Sequence, residues 1–415
     1  MPDRPFASPE LWYVALLFAL FVVPKALQRY RIPSAITSLA LGLAAGLGFE
    51  LFVGDATVQL LATFGITSLF LFAGLDVNAE ELRQGGRVLV QHLFIRLLLL
   101  ATATFVVHRL MGLTVRPSML VALALLTPST GFILASLSQF GLTDQERFWV
   151  KSKAIATELV ALGALFVGLQ SVTLGRLAVS GAGLLAMIAL LPLLFRVFAA
   201  RIAPVAPKSE FAFLLMLAIL CASVTVRMGA YYLVGAFVVG VAARAFRDRL
   251  PAIASEQMLH AVEVFASFFV PFYFFNAGLH VQRGDLGIAP VLMGLAFFGF
   301  AVPANIVAVL GHRRLALGEP VARGLRVAVP LLPTLVFTLV LAGILRERFA
   351  VPAEVFGGLI VYALLNTLIP GFALGAPVRG FEMVDLPADA TVVSSVASRA
   401  APAKGAEPAG HPAEG

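Results

Sequence analysis

The chain has 415 residues, of which 60% are hydrophobic and 13% charged, a balance that excludes an ordinary soluble domain. The net charge of +7 falls mostly in short basic loops between apolar runs, which argues for an oriented membrane chain rather than a nucleic-acid partner. A lone cysteine, Cys221, excludes a disulfide framework or a cysteine metal cluster within one chain.

A helix needs about 20 apolar residues to cross the hydrocarbon layer. By that rule the chain reads as an all-α membrane protein of about thirteen transmembrane helices: 11–28, 33–52, 57–75, 90–112, 117–140, 149–172, 177–200, 210–227, 229–246, 261–280, 288–311, 324–345 and 351–374. The first, in "MPDRPFASPELWYVALLFALFVVPKALQRY", lacks a basic leader and a cleavage site, and reads as a retained span. Loop charge supports the count. The loops at 25–31, 83–87, 147–153, 196–208, 244–249 and 313–326 hold most of the loop Lys and Arg, and all fall on one side. The positive-inside rule makes that side cytoplasmic, with the N-terminus outside, the C-terminus inside, and a cell inner or plasma membrane as the location. Residues 376–415, rich in Ala, Pro, Gly and Ser, read as a disordered cytoplasmic tail with no nucleotide-binding motif.

Two spans carry breakers. The fifth reads "LLTPSTGFIL", with Thr127, Pro128, Ser129, Thr130 and Gly131; the twelfth reads "VAVPLLPTLVFT", with Pro330, Pro333 and Thr334. Proline removes a helical hydrogen bond, and in lipid the freed carbonyls need partners or a cavity. A simple kink explains either span alone. Together they occupy the fifth place in each of two six-span halves joined by span 7, which inverts the second half. Paired interruptions in inverted halves point to a transporter's midplane site. The repeat is inferred from position.

Span 6 holds "AIATELVALGALF". Glu158 lies near its middle, where a charge costs about 2.5–3.5 kcal/mol on insertion scales. It is the one acid placed deep in the bilayer; Asp76 and Glu263 fall at span ends. Such an acid can sit protonated and neutral, then exchange its proton for a metal cation. A permanently protonated glutamate bonded to a neighbouring helix is the plainer alternative. Thr157 offers a hydroxyl beside it. Arg96 in span 4 is expected to snorkel to the cytoplasmic boundary. Asn305 in span 11 suits either a helix–helix bond or the site. The six histidines show no ligand spacing, and no nucleophile–base pair suggests an enzyme.

"TSLFLFAGLDVNAEELRQ", "YYLVGAFVVGVAAR" and "FFVPFYFFNAGLHV" resemble segments of the monovalent cation:proton antiporter-2 family. The resemblance covers residues 11–375. It implies a sodium/proton antiporter-like fold of inverted repeats with two broken crossing helices. Core helices at 90–172 and 288–374 would carry the ion, scaffold helices at 11–75 and 210–280 would make a homodimer, and 177–200 would link them. The family's ion-binding acid falls at Glu158, preceded here by Thr157 rather than Asp, Asn or Gln. Asn305 stands where some members carry a lysine, and Pro333-Thr334-Leu335 replaces Pro-Arg-Gly. The implied activity is exchange of Na⁺ or K⁺ for H⁺, without a cofactor or resident metal. Thr157, Thr127, Ser129 and broken-helix carbonyls would complete an oxygen shell around a cation held transiently at Glu158. A proton-coupled symporter of an organic solute and a cation channel are the competing readings.

Overall fold

The computed structural model describes residues 9–374, apart from 138–139, 172, 230, 248–252 and 254; the expected tail at 376–415 lies outside the described residues. Everything described is helical or loop. The helices are α1 (Pro9–Leu27), α2 (Ser34–Leu43), α3 (Ala56–Leu75), α4 (Ala79–Gln84), α5 (Gly86–Met111), α6 (Val115–Leu126), α7 (Thr130–Ser136) and α8 (Asp144–Gln170). There follow α9 (Leu174–Val197), α10 (Glu210–Arg227), α11 (Tyr232–Ala245), α12 (Glu256–Leu279), α13 (Ile288–Leu317), α14 (Val321–Ala328), α15 (Leu335–Phe349) and α16 (Ala353–Ala373).

Ten of the described segments are long and apolar enough to cross a membrane, with α6 and α7 forming one of them. The pair Val321–Leu331 and Leu335–Phe349, bent by 47°, makes an eleventh. Two shorter apolar helices, Ser34–Gly48 and Tyr232–Ala245, occupy the places of the second and ninth expected spans.

Boundaries differ where polar residues belong to the helix rather than to the loop before it. The sequence reading starts span 6 at 149. In the structure α8 starts at Asp144, because Thr143 and Glu146 form a reciprocal capping box. Lys153 is thereby drawn two turns into the helix and is fully buried, not part of a cytoplasmic loop. Likewise α13 runs on to Leu317, past the expected end at 311, and buries His312 and Arg313.

The helices pack as two sets, α1–α3 with α10–α12, and α5–α8 with α13–α16. The packing repeats itself when the chain is shifted by one half. The contact of α2 on α12 is matched by α11 on α3, α1 on α2 by α10 on α11, and α5 on α6 by α13 on α14. The repeat that position alone suggested is also written in the sequence. "FLFAGLDV" at 70–77 aligns with "FFNAGLHV" at 274–281, and "PSTGF" at 128–132 with "PTLVF" at 333–337. Both shared glycines mark close helix crossings. A Cβ on Gly74 would lie 2.3 Å from the Phe237 carbonyl oxygen of α11, and one on Gly278 would lie 2.2 Å from that of Leu39 in α2. Small residues let backbones approach this closely where lipid supplies no hydrophobic drive between helices.

Candidate functional site

The two interrupted spans meet at their breaks. Between α6 and α7, Thr127, Pro128 and Ser129 leave the helix. Between α14 and α15 the chain passes through a short 3₁₀ turn, Val329–Leu331, and then Leu332, Pro333 and Thr334. The orphaned backbone groups satisfy one another. The Ser129 N–H donates to the Pro333 carbonyl at 2.8 Å. The Ser129 hydroxyl oxygen accepts from the N–H groups of Val336 at 3.0 Å and Phe337 at 3.3 Å. The Thr338 hydroxyl donates to the Ala124 carbonyl at 2.7 Å. Irregular backbone thus persists at membrane depth because its partner break supplies the hydrogen bonds.

Beside this crossing is a small cavity of about 10 Å³, lined by Leu69, Phe70 and Ala73 of α3, by Ser129, Thr130 and Gly131, by Glu158, and by Val336 and Phe337. Glu158 is 2% exposed, and its Oε2 has no hydrogen-bond partner. The buried Thr130 turns its hydroxyl and its backbone N–H toward the carboxylate, and the hydroxyl has no other partner. No ion pair to Glu158 occurs among the described residues. A carboxylate oxygen without a partner and the Thr130 hydroxyl, sharing a cavity of one-water size, suit a proton or a small dehydrated cation. They leave no room for an organic solute.

The other expected site residues are buried but engaged elsewhere. The Thr157 hydroxyl donates to the Lys153 carbonyl at 2.7 Å, and its oxygen faces His92 Nε2 at 3.2 Å. Thr157 does not line the cavity, nor does Thr127, whose N–H donates to the Leu123 carbonyl. Thr334 accepts from Asn366 and, since the Thr338 proton goes to Ala124, donates its own hydroxyl to the Thr338 oxygen, each at 2.8 Å. Pro128 is buried in the first break, and Pro333 contributes its carbonyl in the second. Asn305 accepts from Arg96 and donates to the Ala301 carbonyl at 2.9 Å. Arg96 is 5% exposed and bound to Asn305, so it does not snorkel. A polar partner at its own depth holds it there.

Sequence reasoning missed a second buried group. His92, Lys153, His312 and Arg313 are each 5% exposed or less. Their signal was present in the sequence: Lys153 and His312 both adjoin apolar runs on helices whose polar ends were read as loops.

A cavity of about 440 Å³ lies between the two helix sets near the C-terminal end of α15. It is lined by Gln59 and Thr63 of α3, Tyr273 and Asn276 of α12, and Leu339 and Val340 of α15. Along α15 it stops one turn from Val336 and Phe337 at the Glu158 cavity. At the opposite end, Lys151 of α8 pairs with Asp76 after α3 at 3.0 Å, joining the two sets.

The model of the family described as sodium/hydrogen exchanger, transmembrane, matches residues 14–380. The chain belongs to that family. Among curated proteins, this exchanger-family chain resembles the probable Na(+)/H(+) antiporter 3 of Methanocaldococcus jannaschii, with 29% identity over 129 residues. That match is 31% of this chain and about a third, 33%, of the relative's length. Of solved structures, the sodium proton antiporter MjNhaP1 from Methanocaldococcus jannaschii at pH 8 superposes with a TM-score of 0.60 at 14% identity, over 88% of this chain and 94% of that one. An electron-microscopy structure of MjNhaP1 gives 0.57 at 15% identity, over 88% and 96%. At such identities the likeness carries the fold: inverted repeats with broken helices crossing at mid-membrane.

Proposed function

We propose that this chain is a secondary active transporter that exchanges a monovalent cation, Na⁺ or K⁺, for H⁺ at Glu158. The observation that carries the reading is the unpartnered Glu158 carboxylate oxygen in a one-water cavity at the crossing of the two broken helices. Family membership and the names of the relatives support the substrate class. The same cavity size weighs against a symporter of organic solutes.

Coupling follows from competition. The site is neutral as the acid, and neutral again as carboxylate plus one monovalent ion. Either form can cross with the moving core of α5–α8 and α13–α16, while the bare carboxylate is too costly to carry through lipid-like surroundings. Thr130 and nearby carbonyls complete the oxygen shell; Ser129, Pro333 and Thr334 hold the crossing in shape. The helices α1–α3 and α10–α12 serve as the scaffold through which a homodimer forms. The N-terminus faces outward, and the basic loops lie in the cytoplasm.

One experiment tests the assignment. In proteoliposomes with an internal pH-sensitive dye, additions of Na⁺, K⁺ and Li⁺ should collapse a pH gradient with at least one cation. Glu158→Gln should abolish this while the purified protein stays folded; an active Gln variant removes Glu158 from the role. Exchange should also be electroneutral. One elementary charge across 100 mV is worth about 2.3 kcal/mol, so a cycle that moved net charge would respond to an imposed potential. Clear acceleration or reversal by voltage would refute one-for-one exchange at a single carboxylate.

A further inference from the structure

A cavity of about 770 Å³ lies against the helix that carries Glu158, on a face of α8 that Glu158 does not share. Its walls include Leu159 and Gly163 of α8, Ile188 and Pro192 of α9, and Val238 and Ala242 of α11. None of its lining residues has a polar side chain. The volume falls in the range of about 300–1,000 Å³ typical of ligand pockets. The exchange site does not explain it, because no residue lines both this cavity and the one at Glu158.

The cavity is not sealed. Leu159 and Ile188 are 38% and 41% exposed although both lie within apolar spans. A Cβ on Gly163 would meet nothing within 4 Å. Water finds no hydrogen-bond partner on such walls. The medium around these spans is hydrocarbon as apolar as the leucines that face it, so a gap of this size open to it takes up acyl chain. In the exchange reading α8 belongs to the moving core, α11 to the scaffold, and α9 connects them. Whatever fills the gap therefore touches both moving parts.

One end of the cavity carries positive charge. Phe246 is the last lining residue on α11, and its ring pairs with that of Phe195 on α9, with 5.6 Å between centres. Arg247 follows the first ring in the chain and Arg196 follows the second. Arg196 also extends the α9 row of Leu184, Ile188 and Pro192 by one helical turn. Both arginines are exposed. Neither side chain has a hydrogen bond or ion pair among the described residues. Basic residues at the end of an apolar span attract anionic lipid headgroups. An apolar slot with two uncommitted guanidinium groups beyond its end matches the chain and the phosphate of one molecule.

We propose that an anionic phospholipid, from the leaflet at the C-terminal ends of α9 and α11, occupies this cavity and holds the core in the position seen here. An acyl chain lies between α8, α9 and α11, and the phosphate sits at Arg196 and Arg247. The chain is wedged between helices that shift relative to one another during exchange, so it fits one arrangement better than the other. A ligand with such a difference moves the population toward the state it prefers. The bound lipid therefore slows the cycle. The slowing rests on the exchange reading above; the binding site does not.

The test has a binding arm and a transport arm. In detergent, the melting temperature is followed while phosphatidylglycerol, or phosphatidylcholine with the same chains, is added. Phosphatidylglycerol should raise it and phosphatidylcholine should raise it much less, since a ligand of the folded state stabilises that state. Gly163→Phe puts a ring into the cavity and should remove the rise. Arg196→Gln combined with Arg247→Gln, both at exposed positions, should make the two lipids equivalent. In proteoliposomes, phosphatidylglycerol added to phosphatidylcholine should slow wild-type exchange about fivefold or more, the low end of ligand coupling to a two-state protein, and leave Gly163→Phe insensitive. An equal rise in Gly163→Phe assigns the effect to the lipid shell and overturns the site. An undiminished preference for phosphatidylglycerol in the arginine variant overturns the phosphate seat. An equal rise with free palmitate assigns the cavity to a fatty acid and overturns the phospholipid. Exchange no slower with phosphatidylglycerol overturns the hold on the core. A wild type that exchanges nothing in either vesicle overturns the exchange reading and the slowing with it, while the melting arm still decides the site.

Discussion

Ser129 is the residue on which both breaks depend. Its hydroxyl oxygen accepts two backbone N–H groups from the start of α15, and its own N–H binds the opposite break. Ser129→Ala leaves two buried donors unpaired, each costing about 1–3 kcal/mol. The expected result is a clear fall in melting temperature in detergent, with exchange reduced as the crossing loosens; an unchanged melting temperature would show that the donors find other partners. Glu158 was legible because a charge deep in an apolar run has few structural excuses. Lys153 and His312 were not, because apolar composition finds where a span is greasy, not where its helix begins. The Thr143 and Glu146 capping box, which starts the helix five residues before the expected 149, at Asp144, is what draws Lys153 into the buried helix. Of the hydroxyls expected around a bound cation, Ser129 lines the cavity, whereas the Thr157 and Thr127 side chains do not. Composition could name the hydroxyls but not their rotamers.

At the scale of elements, proline alone did not decide where helices break. Pro24, Pro192, Pro271, Pro303 and Pro370 all lie inside continuous helices. The two true interruptions differ in having a partner break opposite, which accepts and donates what the helix gives up. The positional pairing of spans 5 and 12 was therefore better evidence than their prolines. The crossings of α3 with α11 and of α2 with α12 depend on glycine in the same way. Gly74→Val should splay α3 from α11, since even a Cβ there would stand 2.3 Å from the Phe237 carbonyl oxygen. Overpacking of this kind costs about 1–3 kcal/mol or more. Gly163→Ala, where nothing lies within 4 Å of the new Cβ, is the control and should melt like the wild type. Equal melting of the two variants would mean that α3 and α11 separate without cost.

The whole molecule is two related halves of opposite orientation, yet its two ends are not alike. Asp76 and His280 occupy equivalent places in the repeat. Asp76 is tied to Lys151 across the two helix sets. The His280 ring instead bonds its own Asn276 carbonyl at 2.7 Å, and the tie across the sets is a neutral one, from Arg346 of α15 to the His280 backbone carbonyl at 3.0 Å. Two identical halves would leave an idle protein indifferent between facing one way and the other; an ion pair at one end against hydrogen bonds to backbone carbonyls at the other is expected to give it a resting preference. With side chains 24% and 21% exposed, the Lys151–Asp76 pair is worth up to about 1 kcal/mol, roughly a fivefold tilt in population. Asp76→Asn should remove that tilt and slow thiol labelling of a cysteine placed at Thr63 in the larger cavity, with the native Cys221 buried. Unchanged labelling would mean that the tether holds no preference. On this expectation the gradients decide which way ions move, and the tether decides only where the protein would wait when they are gone, on the side open toward the end of α15.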